Sequence, residues 1–113
     1  VDCIFCKIVE GTIPSTKVFE DDRVCAFLDI QPSAPEHVLI IPKKHIPSVN
    51  GLEGEDFSLI GDIHRAAQTI AKERGVADSG YRLITNTGPD SGQVVFHLHY
   101  HLLGGEKLGP LNA

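Results

Sequence analysis

Apolar positions along the chain fall into short runs separated by polar turn formers, with one longer stretch of a different period. Residues 17–20 and 23–28 have the character of strands, and the polar Glu20-Asp21-Asp22 between them predicts a hairpin. Gln31-Pro-Ser-Ala-Pro35 reads as a stiff loop, because Pro fixes its own φ and restricts the residue before it. Val38, Leu39, Ile40 and Ile41 follow one another within residues 37–42, the pattern of a buried strand that Pro42 ends. Over residues 56–74 the period changes. Leu59, Ile63, Ala66, Ala67, Ile70 and Ala71 recur at steps of three and four, which predicts a helix with one apolar face. Lys72 and Arg74 ahead of Gly75 suit the negative end of its dipole. Residues 81–86 predict a further strand, 87–92 a polar loop and 94–103 a long closing strand, and the tail from 104 onward has little to bury. The order β-β-β-α-β-β with short connections predicts one α+β domain over residues 1–113, its antiparallel sheet packed against the helix.

Composition narrows the setting. A chain of 113 residues has room for one core, and 42% apolar with 22% charged residues is ordinary for a globular domain. No apolar run approaches the roughly 18 residues needed to span a bilayer, so no membrane partner is expected. No signal-peptide pattern precedes Cys3. The net charge of −5 argues against polynucleotide partners, whose phosphates need Lys and Arg, but allows a local pocket for one small anion. Two of the three cysteines form Cys3-x-x-Cys6, too close together to staple a fold, so a reducing, cytoplasmic compartment is expected. Cys25 reads as a small buried apolar residue in its strand.

The informative chemistry is a histidine cluster. Three of the six His fall within five residues, in Phe96-His97-Leu98-His99-Tyr100-His101-Leu102. On a strand, side chains alternate faces, which places His97, His99 and His101 together at steps of about 7 Å and turns Phe96, Leu98, Tyr100 and Leu102 to the core. Two chemistries fit. The three imidazoles could hold a catalytic zinc ion, giving a metallohydrolase. Alternatively one His is a nucleophile that its neighbours position and protonate, since neutral imidazole attacks well and titrates near neutrality. A phosphoryl centre suits that second scheme, because a phosphoramidate on nitrogen can be hydrolysed. The approach to the cluster favours it: Asn86, Gly88, Gly92 and Gln93 offer neutral donors and close backbone approach to an anion. His64, on the helix and away from the cluster, is expected to be exposed.

His97-x-His99-x-His101-Leu-Leu, with its alternating apolar positions, resembles the histidine-triad (HIT) signature. The resemblance to the Hint branch extends through Cys3-Ile-Phe-Cys-Lys-Ile8, Phe19-Glu-Asp-Asp22, Ala26-Phe-Leu-Asp-Ile30, Pro35-Glu-His37, Ile41-Pro-Lys-Lys-His45, Gly80-Tyr-Arg82, Asn86-x-Gly88 and Leu103-Gly-Gly105. It implies an antiparallel sheet with one long helix and a short N-terminal helix, assembled as a two-fold homodimer. The implied activity is hydrolysis of purine nucleoside 5′-phosphoramidates, or related nucleotide conjugates, through a covalent nucleotidyl-histidine. No cofactor is required for that catalysis. By position His99 matches the nucleophile, His101 the residue that contacts phosphate and assists the leaving group, His37 a supporting fourth His, and His97 the first triad position. Asn86, Gly92, Gln93 and Val94 fall in the phosphate-binding segment, and Asp29 matches the carboxylate that accepts from the ribose hydroxyls. Ile4, Phe5, Ile8, Phe27 and Ile30 match the apolar slot for the base. A nucleotide-binding scaffold dimer with incidental hydrolysis is the other reading of the same resemblance.

Two departures stand out. Where the family commonly has Ser at the phosphate, this chain has Val94, and the chain has no Trp although eukaryotic relatives carry one in the C-terminal tail. The Cys pair has three readings: inert thiols, a redox pair, or part of a metal site. Some bacterial HIT proteins hold structural zinc with a set matching Cys3, Cys6, His45 and His97, and all four positions are filled here.

Overall fold

The computed structural model describes residues 3–111. A short helix, α1 (Ile4–Glu10), precedes three strands, β1 (Lys17–Glu20), β2 (Val24–Leu28) and β3 (Glu36–Pro42). The long helix α2 (Ser58–Glu73) then leads to β4 (Tyr81–Ile84) and β5 (Tyr100–Gly104). The five strands form one antiparallel sheet in the order β1-β2-β3-β5-β4. The expected α+β class and element order are therefore those observed.

Two layers cover the central strands, one on each face, which explains their unbroken apolar runs. Val24 and Ala26 of β2, Val38 and Ile40 of β3 and Leu102 of β5 pack on one face against Ile63, Ala66, Ala67, Ile70 and Ala71 of α2. The alternate residues Cys25, Phe27, Leu39 and Ile41 pack on the other face against Cys3, Phe5 and Ile8. A smaller cluster joins Ile46, Leu52, Leu59 and Leu98. The helix starts later than its sequence pattern suggests. Gly54–Phe57 is a 3₁₀ turn closed by the Glu53–Asp56 capping box, and α geometry begins at Ser58.

The closing strand is where expectation and structure part. Residues 94–99 are not in the sheet, and β5 begins only at Tyr100. Leu98 donates its backbone N–H to the Ile46 carbonyl at 2.6 Å instead of to a strand partner. Its side chain sinks into the third cluster while Phe96, expected in the core, stands 53% exposed. The apolar run Val94-Val95-Phe96 mimics a strand, but no strand among the described residues pairs with it. From Tyr100 onward the register is regular, with Leu39 opposite His101 and His37 opposite Leu103. This pairing places His37 and His101 side by side on the α1 face. Among the described residues no helix is long and apolar enough to cross a membrane.

Candidate active site and metal centre

His99 and His101 open onto a cleft of about 350 Å³ between α1, the end of β2 and residues 94–95. Phe5, Ile8, Phe27 and Leu39 line its apolar part, and Asp29 and Ile30 its rim, with Ile30 94% exposed. The expected apolar slot is thus assembled, with Ile4 on its wall and Phe5 stacked edge-on to Phe27 at 5.4 Å. Ile13, Leu39 and Val95 complete the slot. They were not singled out in the sequence because nothing distinguishes them there from ordinary core residues.

Hydrogen bonds to backbone groups reveal which nitrogen of each imidazole carries the proton. His99 Nδ1 lies 2.7 Å from the His97 carbonyl oxygen, which can only accept, so Nδ1 is the protonated nitrogen and Nε2 keeps its lone pair. Thr85 donates its hydroxyl to the His99 carbonyl at 2.8 Å, bracing the same residue from β4's side. His37 Nδ1 accepts the Ser33 backbone N–H at 2.9 Å, so its proton sits on Nε2 and is donated to His101 Nδ1 at 2.9 Å. That leaves His101 with its proton on Nε2. Asp29 lies 3.4 Å from His37 Nε2 and accepts from the Gln31 N–H with its other oxygen. Burial lowers the His37 pKa against the opposing pull of Asp29. Burial, reinforced by the charges of His99 and His37, pushes His101 down to about 4. The dyad is therefore neutral near pH 7 until an anion arrives to favour its charged form.

The loop before the triad is held differently from expectation. Gln93 is buried, and its amide is fully committed: Oε1 accepts the Gly88 N–H, while Nε2 donates to the Pro47 and Val95 carbonyls. Asn86 donates to the Ser91 carbonyl at 2.7 Å. Gln93, expected as a free donor to phosphate, instead ties the loop together, and Asn86 closes it from the other side. Gly92 adopts φ +90°, a turn that side chains disfavour. Val94, 83% exposed, projects at the edge of the cleft.

His97 departs from its two triad neighbours. It is fully buried, and burial lowers its pKa. Its Nε2–H is donated to the Pro42 carbonyl at 2.8 Å, so the lone pair of Nδ1 faces Cys3 Sγ (3.4 Å), Cys6 Sγ (3.6 Å) and His45 Nδ1 (3.3 Å). Cys6 Sγ is 3.4 Å from His45 Nδ1. Tetrahedral zinc, with Zn–S of about 2.3 Å and Zn–N of about 2.0–2.1 Å, requires S···N edges of about 3.5–3.6 Å and an N···N edge of about 3.3 Å. The Cys3–His97, Cys6–His97, Cys6–His45 and His45–His97 separations already stand close to those values, with His97 held in the ligating tautomer by its outer hydrogen bond. With protein groups alone, burial and the neighbouring Cys3 push the Cys6 thiol up to about 11, a pairing that a cation would reverse. The residues thus fit zinc. A catalytic zinc on His97, His99 and His101 has no comparable support. Among the described residues the donor atoms of His97 converge with Cys3, Cys6 and His45, those of His101 with Asp29 and His37, and His99 joins neither group. His64 is exposed as expected, stacked edge-on to Tyr100 at 5.5 Å.

A five-stranded antiparallel sheet that presents His99 and His101 beside a nucleotide-sized cleft is the architecture of a HIT domain. The HIT domain family model matches residues 10–108, and the chain belongs to this family. A purine nucleoside phosphoramidase of Escherichia coli (strain K12) is 49% identical over 112 residues, covering 99% of this chain and 94% of that protein. The structure of a HIT family hydrolase from Clostridium thermocellum matches with a TM-score of 0.95 at 53% identity, covering 99% of this chain and 97% of that one. A histidine triad protein from Clostridium difficile gives the same TM-score of 0.95 at 51% identity, again over 99% of this chain and 97% of that one.

Proposed function

We propose that this HIT-family hydrolase cleaves the P–N bond of purine nucleoside 5′-phosphoramidates through a covalent intermediate on His99. The observation that carries the reading is the bond from His99 Nδ1–H to the His97 carbonyl, which directs an unprotonated Nε2 to attack. Nε2 attacks phosphorus while the P–N bond breaks, and the amine departs with a proton from solvent while His101 Nε2–H hydrogen-bonds the leaving group. The His37 Nε2–H bonded to His101 Nδ1 holds that donor in its tautomer. Water then attacks phosphorus and releases a proton to solvent as the Nε2–P bond breaks, which frees the 5′-monophosphate and restores His99. Asp29, on the cleft rim, would accept from ribose hydroxyls, and Phe5, Ile8 and Phe27, which line its apolar part, would hold the purine. The substrate class is supported by the 49% identical purine nucleoside phosphoramidase.

Cys3, Cys6, His45 and His97 would hold zinc, which when bound supplies a cross-link between the N-terminus and the triad segment. Thiols free to ligate suit a reducing, cytoplasmic setting. The homodimer implied by the family is supported by the half-exposed residues of β4 at the sheet edge, and sedimentation of the purified protein tests it.

A single-turnover reaction with an adenosine phosphoramidate, followed by intact mass, tests the mechanism. Wild type is expected to carry an AMP adduct that His99→Ala lacks. Wild-type turnover by His99→Ala would overturn the assignment, and binding without turnover in wild type would favour the scaffold reading.

A further inference from the structure

We infer that Cys3, Cys6, His45 and the ring of His97 are positioning residues for the nucleophile, so that the ion they hold sets the orientation of His99. The inference rests on the reading of His99 as nucleophile and of the tetrad as zinc ligands.

His97 is engaged at three points. Nδ1 faces the tetrad, Nε2–H is donated to Pro42, and its own carbonyl receives the His99 Nδ1–H. A ring held at both nitrogens restrains the backbone that carries it. That restraint matters here because residues 94–99 lie outside the sheet and have no strand ladder to hold them. The Leu98 N–H does bond to the Ile46 carbonyl, but Ile46 follows the ligand His45 directly. Together with the Thr85 bond to the His99 carbonyl and the Gln93 bond to the Val95 carbonyl, the metal ligands and that bond do for this segment what strand pairing does for Tyr100 and His101.

A second connection runs through α1. Cys3 caps the helix, its sulfur accepting the Cys6 N–H at 3.3 Å. Phe5, between the two cysteines, stacks edge-on against both His97 at 5.9 Å and His99 at 5.1 Å. An ion gathered by Cys3 and Cys6 therefore pins the ring that backs the attacking imidazole. Without the ion, both the carbonyl that selects the His99 tautomer and the ring behind it gain freedom, and the tautomer protonated on Nε2 cannot attack phosphorus.

His45 is exposed and allows the test without opening the core. His45→Ala removes one ligand, and His45→Cys restores a four-ligand set. Zinc content, the His99 tautomer read from ¹⁵N-resolved histidine spectra, and the single-turnover rate of adduct formation are measured on both and on wild type. His45→Ala is expected to lose zinc and the fixed Nδ1–H tautomer and to form adduct about tenfold more slowly or worse, as small misplacements of a reacting group do. His45→Cys regains all three. Wild type stripped with a chelator gives the same comparison without a substitution. Zinc-free His45→Ala protein that keeps the wild-type tautomer and rate would overturn the inference, as would wild type purified without zinc. Failure of the nucleophile reading appears separately, as adduct formed by His99→Ala, because the tautomer is read without substrate.

Discussion

At the scale of single residues, proton positions set four neighbouring histidines apart. His99 offers a lone pair because a carbonyl claims its other nitrogen, and His101 offers a proton because His37 donates to it. The same burial has a consequence for stability. His101 titrates near 6.5 when unperturbed and at about 4 in the fold, so the unfolded chain takes up its proton first as pH falls. Its contribution is fully present above about pH 6.5 and is lost as pH falls to about 4, and the lowered pKa of His37 acts in the same direction. Urea titrations at about pH 7 and about pH 5 are expected to give a lower midpoint at the acid pH, and His101→Asn to reduce the difference. Val94 belongs to this scale too. A hydroxyl at that exposed edge would add a hydrogen bond to a charged group, worth about 1.5–3 kcal/mol. Val94→Ser is therefore expected to raise kcat by about tenfold or more, measured by steady-state phosphoramidate hydrolysis.

At the scale of elements, the chemistry hangs on how loops enter and leave strands. The stiff loop ending at Pro35 feeds His37 into β3, and Gly105, just past β5, lies against it with φ +94°. A Cβ there would stand 2.9 Å from that of Pro35. Gly105→Ala is expected to cost about 1–3 kcal/mol, read as a lower urea midpoint, through strain and crowding together. The Leu103-Gly-Gly105 block was visible as a pattern, but its reason needs the neighbouring loop. Helix α2 was legible because its core face repeats at a local period, and β3 because four consecutive apolar residues announce burial. The segment 94–99 was not legible as irregular backbone. Strand pairing depends on a partner, and a partner is a property of topology rather than of local alternation. Gln93 shows the same limit: its amide could serve a phosphate or the protein's own backbone, and only the fold reveals that Gly88, Pro47 and Val95 claim it.

For the whole molecule, the four residues proposed to hold zinc join parts far apart in sequence, the start of α1, the turn after β3 and the segment before β5. Removal of the ion from wild type with a tight chelator is expected to lower Tm by more than about 5 °C, followed by calorimetry, because binding free energy at such a site is folding free energy. Return of zinc is expected to restore it. The molecule's charge of −5 fits the same picture. A cleft walled by apolar rings and imidazoles would take the proposed mononucleotide through local donors and would need no basic surface.

The sequence alone determined the class of fold, the family and the residues from which the candidate site is built. Periodicity is local, and the spacing of His97, His99 and His101 matches a family pattern. Tertiary structure alone decided how those histidines divide. Leu39 opposite His101 brings His37 to hydrogen-bonding distance, and the end of strand pairing before Tyr100 lets His97 turn away to Cys3, Cys6 and His45. Proton placement, which leaves one imidazole a free lone pair and makes another a donor, follows from backbone carbonyls and amides of Pro42, Ser33 and His97 itself. Every residue carries such groups, so no sequence distinguishes the ones that a fold aims at a catalytic ring.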